Sequence, residues 1–287
     1  MTTPVDAPVV AAVGSSDTAL VVVRLAAEEA TRRGRPLILL HAFNWAAAPG
    51  RPSVSGPRAE AEDLLERATA VAAEVEPALP VNGEIVEGAP VAALIRRSES
   101  AFLIAVGDGG MAHRRAAITA DAPAVQLAAR AACPVLVVRP EPPPQGPVLV
   151  GVDGSASSRT ALEFAFDCAA RRSTRLLAVR ATEPARPGAG DDPADFDAED
   201  ARAELAEAVA WCGRRHPSVS VECRAVVGDP GNVLVDRSRS AQLAIVAARG
   251  DEPLRGMLGA VSQSLLYHSP APVIVVRGLV STVPDGT

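Results

Sequence analysis

The sequence repeats itself at long range. The segment 88–110 returns in altered form as the segment 228–250, at an offset of 140 residues. A second pair of segments, 133–139 and 271–277, repeats at an offset of 138 residues. Solenoid proteins repeat about every 20 to 50 residues, which is a much shorter period. Copies this far apart therefore predict two similar domains in one chain.

The length agrees with two domains. A chain of 287 residues corresponds to two units of about 150 residues, each large enough to bury its own core. Between the copies lies Arg139-Pro-Glu-Pro-Pro-Pro-Gln-Gly-Pro147, a proline-rich spacer of the semi-rigid kind. We predict a first domain over residues 1–142 and a second over residues 143–287, in a defined relative placement.

Each half alternates short apolar runs with helical patterns. In the second half, the run from Pro147 to Asp153 ends in Asp-Gly-Ser, and Ser155 then opens a helical pattern. A continuous apolar run bounded by a turn is typical of a strand that is buried on both faces. The predicted strands are Val9 to Val13, Leu37 to His41, Ile85 to Glu87, Phe102 to Val106 and Val135 to Val138, and then 147–153, 176–180, 219–226, 243–246 and 273–276. The predicted helices lie near residues 17–33, 58–75, 91–99, 120–131, 155–172, 197–212, 233–239 and 260–268.

This alternation predicts an α/β fold, in which helices cover both faces of a parallel sheet. Five strands per domain, wound about the first strand in the order 3-2-1-4-5, place a ligand crevice at the carboxyl ends of strands one and four. The residues at that crevice are 153–155 and 247–259 in the second domain, and 14–16 and 107–121 in the first.

The charges argue against several classes of protein. A net charge of −6 disfavours nucleic acid as a partner, because such binding depends on basic residues that neutralise phosphates. All 28 basic residues are arginines, and the absence of lysine excludes a Walker A loop and a Schiff-base lysine. The pair Arg171-Arg172, at the end of a predicted helix, is interpreted as a solvated helix end.

The cysteines and histidines show no catalytic or metal-binding pattern. The four cysteines match no zinc or redox motif, and we expect them to be reduced and mostly buried. The four histidines lack metal-ligand spacing, and His41, at the end of the second strand, is interpreted as a hydrogen-bonded structural residue. Because no signal peptide, no apolar run of about 18 residues and no Gly-x-Ser-x-Gly motif occurs, we expect a cytoplasmic location, no membrane partner and no hydrolase chemistry.

Several motifs resemble one known family. In the second half, the segments Val150-Gly-Val-Asp-Gly-Ser155, Gly228-Asp-Pro230, Gly259-Ala-Val-Ser262 and His268 to Arg277 resemble hallmarks of the universal stress protein family, over residues 147–277. The first half is similar over residues 8–139, chiefly through Gly88-Ala-Pro90, Gly107-Asp-Gly-Gly110 and Cys133-Pro-Val135. The resemblance implies a tandem member with two Rossmann-like domains of the adenine nucleotide α-hydrolase-like type.

The resemblance also implies that the last strands of the two domains, Val135 to Val138 and Val273 to Val276, pair across a two-fold interface. An exposed last strand invites such pairing, since its backbone groups need partners. We predict that the two domains pair in this way within one chain, while a homodimer of whole chains stays open.

Family members that bind ATP carry a signature of Gly, two residues, Gly, nine residues, Gly, and then Ser or Thr. The glycines let backbone N–H groups close around phosphate oxygens at a helix N-terminus. In the second domain Ala247 replaces the first glycine, Gly250 is kept, eight residues precede Gly259, and Ala260 stands where the hydroxyl belongs. Arg249 and Arg255 are the expected compensation, because guanidinium groups bind phosphate.

The first domain departs further from the signature. Gly107 and Gly110 have the correct spacing, but the segment 119–123 occupies the place of the final Gly-Ser. Within it, Asp121 would repel phosphate and Pro123 lacks an N–H group. Gly14 also stands where the family has the aspartate that the resemblance assigns to the adenosine end of the nucleotide. The second domain keeps that residue as Asp153.

We therefore expect an adenine nucleotide, ATP, mainly in the second domain. The residues assigned to it are Asp153, Gly154, Ser155, Ala247, Arg249, Gly250, Gly259, Ala260, Val261 and Ser262, with Gly107 and Gly110 in the first domain. The alternative interpretation is that Asp153 only caps the first helix of its domain and that the glycines serve turns.

The resemblance implies a stress-response regulatory protein and not an enzyme. A nucleotide-independent interaction module, whose crevices are vestigial and whose protein partner is unknown, is the alternative. A slow ATPase is a third option, against which the lack of a visible general base or metal cluster argues.

Overall fold

The computed structural model describes residues 6–16, 18–43, 55–109, 111, 122–183, 195–250 and 257–277. The first half contains β1 (Val9–Ala12), α1 (Ala19–Arg33), β2 (Leu37–Phe43), α2 (Ser55–Val75), β3 (Val81–Glu87), α3 (Pro90–Arg97), β4 (Leu103–Gly107), α4 (Pro123–Arg130) and β5 (Val135–Val138). The second half contains β6 (Val148–Gly151), α5 (Ala156–Arg171), β7 (Leu176–Thr182), α6 (Asp195–Gly213), β8 (Val221–Val227), α7 (Pro230–Ser238), β9 (Leu243–Ala247), α8 (Ala260–His268) and β10 (Val273–Val276). The predicted alternation of strands and helices is confirmed.

The strands of the described ranges form one sheet, in the order β3-β2-β1-β4-β5-β10-β9-β6-β7-β8. Within each half the strands are parallel, so each half has the predicted order 3-2-1-4-5. Helices α1, α2, α5 and α6 cover one face, and α3, α4, α7 and α8 cover the other. The α/β fold is confirmed. None of the helices in the described ranges combines the length and apolar content that a membrane span requires.

The two halves join through their last strands. β5 and β10 pair antiparallel, with Val135, Leu136 and Val137 opposite Val275, Ile274 and Val273. Antiparallel pairing of two equivalent strands is what a two-fold axis between the halves generates. The predicted pairing within one chain is therefore confirmed, and the last strand of each half is no longer an edge. The boundary between residues 142 and 143 stays a prediction.

Several elements begin earlier than the sequence pattern indicated, and the reason is visible for β3 and α7. β3 begins at Val81 rather than Ile85, because it pairs in register with β2 over all seven of its residues although several side chains are exposed. α7 begins at Pro230 rather than Val233, because the Asp229 carboxylate accepts the N–H of Asn232 at 2.8 Å. A proline at the first helical position already has the φ angle that a helix needs.

α1 and α5 meet between the halves in a buried ion cluster. Glu29 accepts hydrogen bonds from Arg33 of its own helix, at 3.4 Å, and from Arg172, which follows α5. Arg33 also donates to Asp167 at 2.5 Å. The side chains of Glu29, Arg33 and Arg172 are only 3%, 3% and 8% exposed. The interpretation of Arg171-Arg172 as a solvated helix end is wrong for Arg172, because the first half covers it and supplies its carboxylate.

Aromatic rings complete this interface. The rings of Phe102, from the first half, and Phe164, from the second, are stacked with centroids 6.1 Å apart. The guanidinium of Arg33 lies 4.8 Å from each ring centroid, a distance at which cation–π attraction is effective. Strand pairing, buried charges and stacked rings thus hold the two halves together.

Chemical labelling of the four cysteines can measure how well the core excludes reagents. All four have free thiols, and Cys133, Cys168 and Cys212 are buried. Burial raises the pKa of Cys133 and of Cys168 to about 12, and the thiolate is the reactive form. We expect iodoacetamide at neutral pH to label the native protein chiefly at Cys223, and the urea-unfolded protein at all four positions. Peptide mass spectrometry measures the labelling, and rapid native labelling of Cys168 would contradict the described core.

Candidate functional site

The turn after β6 carries the candidate acid of the second half. β6 lies next to β9, so the carboxyl ends of these two strands meet at one edge of the sheet. Gly154 has a φ of +86°, which glycine adopts readily. The N–H of Ser155 donates to Asp153 Oδ1 at 2.9 Å, and the N–H of Ser158 donates to Ser155 Oγ at 3.0 Å. Ser155 is thus the cap of α5, and Asp153 shapes the turn that leads to it.

The environment of Asp153 favours its ionised form. Burial by itself would raise the pKa of this carboxyl group, but hydrogen bonds from the hydroxyl and N–H groups of Ser155, and from Ser158, outweigh it and lower the pKa. The residue is nonetheless exposed at the edge of the sheet. A charged acceptor is therefore presented to the solvent at the carboxyl end of β6.

The structure brings Gly250 against this carboxylate. A Cβ atom on Gly250 would lie 3.3 Å from Asp153 Oδ2 and 3.9 Å from Ser155 Cβ. The Ser157 hydroxyl also lies within 3.5 Å of the Gly250 carbonyl oxygen. The segment after β9 is in this way packed onto the turn after β6, as the predicted topology requires. Pro253 and Arg255 lie outside the described residues.

The N-terminus of α8 forms the other side of the crevice. Gly259, its N-cap residue, donates its N–H to the Ala248 carbonyl at 2.9 Å. Ser262 is buried, and its hydroxyl donates to the Ala247 carbonyl at 2.6 Å. Its hydroxyl is therefore directed at the end of β9. The first N–H groups of a helix have no intrahelical partner, so the first turn, at Ala260 and Val261, provides the donors of this wall. Arg249 lies beside Gly259, whose Cβ would be 3.7 Å from Arg249 Cα.

The equivalent region of the first half is arranged differently. Gly14 offers no carboxylate, and a Cβ there would meet no atom within 4 Å. Gly107 ends β4 and is followed by Asp108, which is buried and ion-paired with Arg139 at 3.5 Å. His41 Nδ1 lies 2.8 Å from the Val13 carbonyl oxygen, which agrees with its structural interpretation. Gly110 and the segment 112–121, with the predicted Asp121, lie outside the described residues.

One residue at the crevice was missed from the sequence. A Cβ on Gly154 would lie 2.9 Å from Arg180 Nη1, so the guanidinium of Arg180 lies directly against the turn. Arg180 is also ion-paired with Glu204 of α6 at 2.7 Å. Both residues line a cavity of about 680 Å³ that reaches Gly154 and Trp211. The repeat itself carried the signal, because Arg180 falls on His41 at an offset of 139 residues.

The arrangement is suited to binding a ligand that has a hydroxyl-bearing end and an anionic end. A carboxylate and a helix N-terminus face the same crevice, and helix N-termini attract anions. Among the residues that the structure describes, no group of three or more His, Cys, Asp or Glu is placed to hold a metal ion.

Known proteins share both the sequence and the fold. The profile of the Universal stress protein family matches residues 7–139 and again residues 146–277. A universal stress protein of Mycobacterium tuberculosis strain H37Rv is 35% identical over 273 residues, which cover 88% of this chain and 90% of that protein. A solved universal stress protein from Archaeoglobus fulgidus DSM 4304 has a TM-score of 0.69 at 17% identity, covering 96% of this chain and 98% of its own. A universal stress protein solved in complex with cAMP aligns with 46% of this chain and 97% of its own, at 28% identity and a TM-score of 0.38. The chain belongs to the universal stress protein family.

Proposed function

We propose that this chain is a stress-response regulatory protein that binds an adenine nucleotide, ATP, in the crevice of its second domain. The observation that carries the proposal is the ionised, exposed carboxylate of Asp153, held against Gly250 where β6 and β9 end. A carboxylate in this position accepts hydrogen bonds from the adenosine end of the ligand. The anionic end then lies toward α8.

The residues of the crevice fit such a ligand. Glycine at position 250 lets the Asp153 carboxylate keep its position. A larger residue would place its Cβ 3.3 Å from Asp153 Oδ2, which is a tight contact. The N–H groups at Ala260 and Val261 and the positive end of the helix dipole suit phosphate oxygens. Arg249, adjacent to Gly250, supplies a guanidinium that can take the role of the hydroxyl that Ala260 lacks.

The proposal gives the two predicted domains, 1–142 and 143–287, unequal roles. In the first, Gly14 provides no acid, and the Asp108 carboxylate beside Gly107 is buried in an ion pair with Arg139. Nucleotide binding therefore belongs mainly to the second domain.

We propose a binding and regulatory role rather than catalysis, in the cytoplasm. No general base is evident among the described residues at the crevice of the second domain, and Asp153 is already engaged by Ser155. The four free thiols are suited to a compartment that keeps cysteine reduced.

A nucleotide-independent interaction module is the alternative function, and one observation favours it. Ser262 is the hydroxyl residue in the first turn of α8, yet it is buried and donates to Ala247. Among the described residues, the phosphate end therefore depends on backbone N–H groups and Arg249. Partner binding that is indifferent to ATP would support this alternative.

Isothermal titration calorimetry with ATP tests the proposal. We expect saturable binding to the wild-type protein, and a Kd about 10- to 100-fold higher for Asp153→Ala, because a hydrogen bond to a charged group is lost. Gly250→Ala should act in the same direction, since its Cβ displaces the same carboxylate.

Gly14→Ala is the matched control, because Gly14 occupies the equivalent position of the first domain and its Cβ would enter open space. Its Kd should stay within about twofold of the wild-type value. Absence of saturable heat with the wild-type protein up to millimolar ATP would overturn the nucleotide proposal in favour of the interaction module.

A further inference from the structure

Arg139 belongs to the first half by sequence, but its guanidinium ends in the second half. The residue follows β5, and its Nη2 donates to the carbonyl oxygens of Leu265 at 2.9 Å and Leu266 at 2.7 Å. These carbonyls lie in the last turn of α8, where carbonyl groups lack their usual intrahelical partners, and the Leu265 carbonyl also accepts the N–H of the C-cap residue Ser269 at 3.0 Å. A cation at this end also stabilises the helix dipole. Arg139 therefore caps the carboxyl end of α8 from the other domain.

The guanidinium of Arg139 also forms an ion pair at the crevice of the first domain. Arg139 Nη1 lies 3.5 Å from Asp108 Oδ2, and both residues are only 2% exposed. Asp108 directly follows Gly107 at the end of β4, and its N–H donates to the Val138 carbonyl at 3.1 Å. Burial lowers the pKa of Arg139, and the Asp108 carboxylate opposes that shift. Since a buried charge is costly without its partner, the positions of the two side chains depend on each other.

α8 connects this ion pair to the candidate nucleotide site. The helix has nine residues, so its ends are about 13 Å apart. Its carboxyl end is held by Arg139, and its first turn provides the N–H groups at Ala260 and Val261. Binding groups need to be held within about 0.5 Å of their productive positions by the residues that support them. A small movement of the carboxyl end of α8 therefore displaces the N–H groups at Ala260 and Val261 enough to change ligand binding.

The pseudo-two-fold symmetry shows that the two halves differ at the residue next to this arginine. Arg277 follows β10 as Arg139 follows β5, and it donates to the Ala129 carbonyl in the last turn of α4. At the position equivalent to Asp108, however, the second half has Ala248, whose N–H donates to Val276 in the matching way. The position that holds a carboxylate in the first half is therefore held by an alanine in the second.

We propose that Asp108 and Arg139 are positioning residues through which the first domain sets the N-terminal end of α8 in the nucleotide site of the second domain. This inference rests on the proposed function and assigns a regulatory role to the domain that has lost the nucleotide residues. Neither residue is among those assigned to the nucleotide.

Calorimetry with ATP tests the effect on binding. Arg139→Met should raise the Kd at least about tenfold, within the usual range for coupling between sites, and Asp108→Asn about threefold, since the amide oxygen still accepts. Arg139→Lys keeps the charge but reaches fewer carbonyls, so it should recover part of the affinity. The matched control is Arg277→Met, which removes the symmetry-related cap and should change the Kd by less than about twofold. Equal losses of ATP affinity for Arg139→Met and Arg277→Met would mean that both substitutions act only by weakening the interface between the halves. That result would overturn the proposal.

A second measurement needs no nucleotide. In ¹H–¹⁵N spectra of the ligand-free protein, Asp108→Asn should shift the amide signals of Ala260 and Val261, which lie at the far end of α8 from Arg139. Unchanged amide signals in this variant would overturn the positioning role even if ATP binds. If the wild-type protein binds no ATP, the nucleotide proposal fails, and these shifts alone decide whether the first domain positions α8.

Discussion

Glu29→Gln is expected to lower the free energy of unfolding by about 3 to 5 kcal/mol. The Glu29 side chain is 3% exposed and accepts hydrogen bonds from Arg33 and, across the domain interface, from Arg172. Glutamine keeps the shape of the side chain but removes its charge, which leaves two buried guanidinium groups without this carboxylate. Removing one partner of a buried ion pair costs far more than the pair contributes. Urea unfolding followed by far-UV circular dichroism measures the loss.

Glu62→Gln is the matched control for this prediction. Glu62 also pairs with an arginine, Arg58 at 2.9 Å in α2, but the two side chains are 54% and 68% exposed. A surface pair contributes little because water screens it and both side chains lose entropy. We expect a change of less than about 1 kcal/mol. Similar losses for the two variants would show that burial of the cluster between α1 and α5 does not matter.

Gly146→Ala is expected to destabilise the protein by about 2 to 3 kcal/mol, which is the upper part of the usual range for overpacking. Gly146 lies at the end of the proline-rich spacer, and a Cβ there would overlap the backbone carbonyl oxygen of Ser240. The Gly146 carbonyl also accepts hydrogen bonds from Gln242 at 2.5 Å and Thr174 at 3.3 Å. The spacer therefore cannot move away from Ser240 without losing these contacts.

Thermal unfolding measures this second prediction. The expected loss corresponds to a fall in Tm of roughly 5 to 10 °C. Gly14→Ala again provides the comparison, because the same substitution there places a methyl group in open space. A Tm for Gly146→Ala equal to that of Gly14→Ala would mean that the spacer adjusts freely, and that the placement of the two halves does not depend on it.

Much of the fold could be predicted because its causes are local or repeated. Strands that are buried on both faces, such as Leu243–Ala247, consist of unbroken apolar residues, and the helices between them show periodic apolar positions. The pairing of β5 with β10 could be predicted as well, since an unpaired apolar last strand needs a partner. The start of β3 could not be predicted, because residues Val81 to Glu84 are in the strand through their pairing with β2 and show no apolar pattern.

The candidate site was predictable only in outline. The topology placed Asp153 and Gly250 at one edge of the sheet, and the structure brings them into contact. Ser262 was assigned to the ligand from its place in a motif, but its hydroxyl donates to Ala247. Arg180 was overlooked, although the repeat aligns it with His41 of the first half. Motif position identifies which backbone segments meet, whereas the direction of each side chain depends on its neighbours in space.

The sequence by itself therefore determined the duplication, the sheet order of each half and the edge of the sheet at which Asp153 and Gly250 meet, because these follow from apolar patterns and chain connectivity. Only the tertiary structure decided which charges are buried and what they hold. Arg172 and Arg139 look like ordinary polar residues in the sequence, yet they bond Glu29 and Leu266, more than a hundred positions away. A long side chain finds its partner among elements that packing brings together, and no local pattern of residues encodes that choice.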